Sequence, residues 1–187
     1  MAGTLKVGGV PLATHSDSTA KVSLDGNVQF PAGHVIQTVY AETSATLTIT
    51  NTTPPGDVVL SKSITPTFNT SKILVMIQLT YSKEDVFTGY TRLYRNSTWV
   101  YPYTADRGFP LRGSSGWGVD IGHIQYLDSP STTDSTTYNL YAHPSGNPNA
   151  PTNTSYPMEI NRNYNTNQDS ASGGRASSSM ILMEIAQ

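Results

Sequence analysis

Four histidines, His15, His34, His123 and His143, are the first candidates for metal or acid–base chemistry in this chain. They lie far apart, without the H-x-H or H-E-x-x-H spacing that sets two imidazoles on one metal, and there is no cysteine to supply a thiolate. No dedicated zinc site is expected, although spacing does not test a histidine gathered on a three-fold axis. The stretch GSSGWG at Gly113–Gly118 invites two readings and satisfies neither. Trp117 occupies the last glycine of a G-x-S-x-G nucleophile turn, and no Lys-Ser or Lys-Thr pair follows to make a phosphate loop. Glu84 and Asp85 are adjacent acids, which point to opposite faces of a strand and serve a turn's solubility better than an acid pair. No catalytic, cofactor-binding or metal-ligating residue is therefore assigned, and no enzyme activity is expected.

Aromatic side chains carry more information. Tyr90, Tyr94, Trp99, Tyr101, Tyr103 and Trp117 gather around one hairpin and the loop after it, interleaved with Arg92, Arg95, Arg107 and Arg112. Tyr, Trp and Arg are enriched where proteins recognise partners, because each joins an apolar or planar body to polar reach. Tyr90, Arg92 and Tyr94 alternate on one strand face and fit core or subunit contact as well. The candidates for surface recognition are Tyr103, Arg107, Arg112 and Trp117.

The elements that position these residues read as strands. Nowhere do apolar residues recur at helical spacing without an intervening proline, glycine or β-branched cluster, whereas period two recurs throughout. In SKILVMIQLTYSK, Ile73, Val75, Ile77, Leu79 and Tyr81 share one face, expected to be core. Leu74, Met76, Gln78 and Thr80 share the other, half apolar, as suits contact with a second layer or subunit. Further strands are expected in VIQTVYAE, ATLTITN, DVVLSKSI, GYTRLYR, TWVYPY, GVDIGHIQYLD, TTYNLYAH, MEINRNY and SMILMEIA, with a tight turn at Asn96-Ser97. Long connections are expected over 104–118, 129–137 and 143–157. This is the pattern of an antiparallel sandwich or barrel; alternation assigns faces and leaves strand order open.

Two regions are expected: residues 1–33, short strand-turn-strand pieces with too little apolar surface to fold alone, and residues 34–187, the β-sandwich domain. The first would serve as an arm that intertwines with other copies or grips a larger particle. In the closing run, Met180, Ile181, Leu182, Met183 and Ile185 are apolar on both faces of one strand and are read as core and subunit contacts.

Charged residues are 13% of the chain, against about 25% in an average globular protein, and the net charge of −2 is scattered. No basic stripe is present to neutralise a nucleic-acid backbone, so no nucleic-acid partner is expected. The opening residues show no export signal, and no run approaches the roughly 20 apolar residues of a membrane span. Absence of cysteine fits folding in a reducing cytoplasm. Sequons at Asn51, Asn69, Asn96 and Asn153 are expected by chance in so Asn-, Ser- and Thr-rich a chain.

Taken in order, SKILVMIQLTYS, TRLYRNSTWV, IQYLDSPSTTDSTTYNLYA and INRNYNTNQDSASGGRASSSMILMEIA resemble the C-terminal domain of tail-fibre and other virion structural proteins of marine and freshwater tailed phages, cyanophages among them. The likeness covers residues 66–186, with YLDSP and SSSMILMEIA its most specific parts, and the MAGTLKV opening is similar to many of those fibre proteins. It implies an all-β fold, an antiparallel β-sandwich of jelly-roll type with a short N-terminal β arm. It further implies a non-enzymatic homotrimer, assembled in the host cytoplasm and displayed on a virion. The arm would anchor it to other virion proteins, and loops would bind host-surface glycan or protein. A capsid decoration protein or head fibre, clamping the shell, is the alternative.

Overall fold

The structure, a computed structural model, describes residues 3–16, 21–24, 30–83, 88–101, 108–112, 118–144, 157–163 and 175–187. Fourteen strands run through these residues: β1 (Gly3–Val7), β2 (Val10–Ser16), β3 (Lys21–Leu24), β4 (Val35–Thr43), β5 (Leu47–Ile49), β6 (Asp57–Ile64), β7 (Lys72–Lys83), β8 (Thr88–Arg95), β9 (Thr98–Tyr101), β10 (Phe109–Arg112), β11 (Asp120–Asp128), β12 (Thr136–Pro144), β13 (Met158–Ile160) and β14 (Ser178–Ile185). All named pairings are antiparallel.

β1, β2 and β3 form a three-stranded sheet of their own. In the first sandwich sheet, β14 lies between β4 and β7, and β11 flanks the other side of β7; β13 continues the β14 side of β7 and carries β5. In the second, β12 lies between β6 and β8, and the far side of β8 is shared by β9 and β10. Neighbours β4-β14-β7-β11 and β6-β12-β8 are never consecutive in the chain, which crosses repeatedly between sheets. That order is a jelly roll, two Greek keys folded over one core.

Period two decides which residues fill that core. Ile73, Val75, Ile77, Leu79 and Tyr81 of β7 are 0–6% exposed, and Met180 and Leu182 of β14 are at 0%. They meet Leu60, Ile64, Leu93, Tyr138, Leu140 and Ala142 from the second sheet in a single apolar cluster. Each large side chain so buried contributes about 1.5–3 kcal/mol.

Asn96, with φ 51°, makes the expected β8–β9 turn, and its side-chain oxygen accepts the Thr137 N–H at 2.9 Å. Gly56, at φ 92°, is required twice: a Cβ there would lie 2.0 Å from the Ala142 carbonyl oxygen of β12. One expectation is corrected. The connection expected over 104–118 contains β10, and Arg112, expected on a loop, is paired opposite Thr88. Pro110 disguised this strand, since proline is excluded from strand interiors; β10 is an edge strand, where the missing N–H costs nothing.

Candidate functional site

Two outer sheet faces and the N-terminal sheet hold the features a partner could use. On the outer face of the first sheet, ladder register builds rows of side chains across four strands. Leu127, Leu74, Met183 and Thr38 form one row, and Gln125, Met76, Ile181 and Tyr40 the next. A shallow open groove runs over Met76, Gln78, His123, Gln125, Ser179 and Ile181. Leu127 and Tyr40 are each about half exposed, at 50% and 51%. The Tyr40 hydroxyl donates to Glu42 at 2.9 Å, and that carboxylate pushes the phenol above its ordinary range.

The other end of the same face is polar and covered. Thr80, Ser82 and Glu159 point outward by register yet are no more than 1% exposed. The Thr80 hydroxyl donates to the Ser177 carbonyl and the Ser82 hydroxyl to the Arg162 carbonyl, each at 2.8 Å, so both hydroxyls are satisfied by neighbouring backbone. Glu159 accepts from Arg162 Nε at 2.7 Å and from the Thr48 hydroxyl at 2.9 Å. Asn161, in the left-handed conformation at φ 61°, locks the junction of β13 and β14. Its amide donates to the carbonyls of Thr43 and Ala45, and its side-chain oxygen accepts from Ser178 at 2.6 Å. Burial is thus inverted on this face: polar groups are sealed and the apolar half is open.

The outer face of the second sheet is aromatic. The Arg92 guanidinium stacks 4.4 Å from the Trp99 ring centre, Tyr94 meets Tyr141 edge-on at 5.0 Å, and Tyr90 lies 5.4 Å from His143. Trp99 Nε1 donates to the Tyr101 carbonyl at 3.1 Å, which fixes the indole, and the Ser61 and Asn139 side chains bond beside it at 2.7 Å. Fixed, half-buried Tyr and Trp rings flanked by hydroxyl and amide groups make a surface suited to stacking and hydrogen bonding with a polar ligand.

Of the sequence candidates for recognition, Tyr103, Arg107 and Trp117 lie outside the described residues, as do Glu84 and Asp85. Arg112 lies on β10, with only its backbone described. Met180 and Leu182 are core; Ile181, Met183 and Ile185 are half-buried on the outer face. Sequence reasoning passed over Tyr141. Its signal was the alternation in TTYNLYAH, which sets Tyr141 opposite in face to Tyr138 and Leu140, but placing it beside Tyr94 requires the β12–β8 pairing. Among the described residues no three His, Asp or Glu side chains gather to hold a metal ion, and no helix is long and apolar enough to cross a membrane.

No protein-family model and no curated protein matches the chain. Among solved structures, a chain from the structure of infectious bursal disease virus, Gt strain, is similar with a TM-score of 0.46 at 11% identity, covering 94% of this chain and 44% of that one. The chain thus spans less than half the length of that neighbour.

Proposed function

We propose that this chain is a structural, non-catalytic virion subunit that assembles as a homotrimer of fibre type and displays its sandwich towards the host surface. The observation that carries assembly is the inverted burial on the first sheet. Contiguous exposed apolar surface is costly for a monomer and is the usual mark of an interaction site. Half-buried Leu74, Met76, Ile181 and Met183 at the centre of the sheet, continued by half-exposed Leu127 and Tyr40, supply that surface. The virion setting is supported by the sequence resemblance over residues 66–186. Host contact is assigned to the aromatic face around Trp99 and Tyr141, together with Tyr103, Arg107, Arg112 and Trp117.

A second reading, a decoration protein that clamps a capsid, is favoured by the separate N-terminal sheet, none of whose described side chains joins the sandwich core cluster. The test has two parts. Light scattering of the full chain is expected to give a trimer mass; a monomer at tens of micromolar would overturn the assembly claim. Peptide mass spectrometry of purified virus particles is expected to find the chain, and its absence from them would overturn the virion role.

A further inference from the structure

Resting on the multimeric reading above, we infer that the N-terminal sheet of one copy covers the open apolar face of a neighbouring copy. The N-terminal sheet is a half-structure. Its strands are four to seven residues long, and Leu5, Val7, Val10 and Leu12 are 60%, 65%, 53% and 38% exposed. Among its described side chains, Ala13 is the one in the buried apolar set. Three short strands need an apolar face covered to be stable, and among the described residues nothing covers this sheet. The sandwich presents the converse, a largely apolar sheet face over which no other described residue lies. Both occur once per chain, so a copy that lends its N-terminal sheet to a neighbour and receives another satisfies every copy in a closed ring.

From Phe30 onward the chain is fastened at one end of the sandwich. Phe30 stacks on His34 at 5.1 Å and meets Phe68 edge-on at 6.3 Å. Phe68 and Thr67 donate backbone N–H groups to Glu184, an inward-facing side chain of β14, so Phe68 sits over the end of the core between the sheets. The chain is fastened there by Gly33 N–H to the Ala186 carbonyl at 2.8 Å and Ala186 N–H to the His34 carbonyl at 2.9 Å. The chain therefore enters β4 at the end of the sandwich, where Phe30 packs, and not across the outer face of the first sheet. Five residues separate Leu24 from Phe30, a reach of at most about 20 Å over six steps.

The chain lacks cysteine, so single introduced thiols report contacts cleanly. Val10→Cys and Met183→Cys chains, produced together and oxidised with diamide, are expected to yield a mixed disulfide dimer well above either homodimer. The double variant is expected to give covalent multimers that close at the assembly number. Efficient Met183→Cys homodimers in an intact assembly would overturn the inference while leaving the assembly reading standing. An intramolecular disulfide in the double variant at monomer mass would overturn both, as would a monomeric full chain that forms no cross-link.

Discussion

Tyr138 donates its hydroxyl to Asp128 at 2.6 Å between the two sheets, and Arg95 grips the same carboxylate at 2.9 and 3.0 Å from the rim. Burial, first, and then the carboxylate it bonds push the Tyr138 phenol far above its ordinary range.

Removing that donor should be measurable. Tyr138→Phe is expected to cost about 1.5–3 kcal/mol, the range for a buried hydrogen bond to a charged group. Urea unfolding should show a lower midpoint with an unchanged slope. Asp128→Ala, which strands both partners, should cost more.

Glu184 predicts an acid limb. Burial acts to raise its carboxyl pKa, but Gln37 and the Phe68 and Thr67 N–H groups outweigh that and hold it below the ordinary 4.5. The folded pKa is thus the depressed one, so its stabilisation is present above about 4.5 and is lost as pH falls through the folded value. Glu184→Gln should flatten that part of a stability–pH curve measured by thermal unfolding.

Adjacent residues of β14 should separate folding from assembly. Leu182→Ala is expected to cost about 2–5 kcal/mol of unfolding free energy, as a core truncation. Met183→Gln should change the unfolding of the dissociated chain by no more than about 1 kcal/mol. It should nevertheless weaken association, read as a lower mass in dilution light scattering.

On the aromatic face, Trp99→Ala or Tyr141→Ala should reduce binding to host-surface polysaccharide tenfold or more, with circular dichroism unchanged. Arg92→Lys should also weaken it, because an ammonium does not reproduce the planar stack over Trp99. Undiminished binding by all three would move recognition to the loop residues.

How much was legible follows from what alternation encodes. The inward set of β7 and the two faces of β14 were readable residue by residue, because burial follows a period of two. The insertion of β14 between β4 and β7 was not, since pairing is set by long-range contacts that no local pattern records. β10 was hidden by Pro110, whose tolerance depends on being at an edge. Nothing in MEINRNY marks Glu159 as buried, because its partners Arg162 and Thr48 come together only through the turn after β13 and the β13–β5 pairing. The aromatic cluster was visible as composition, but Tyr141 entered it through cross-strand register alone.

The place of β14 has a further consequence for how the chain is made. Until Ser178–Ile185 emerges from the ribosome, β4 and β7 each present an open edge with apolar neighbours, and the first sheet cannot close. A chain stopped short of Ser178 is therefore expected to expose those two edges, a surface suited to chaperone capture or aggregation. β14 thus acts as a late keystone, since the core cluster is filled only when Met180 and Leu182 enter between two strands made much earlier.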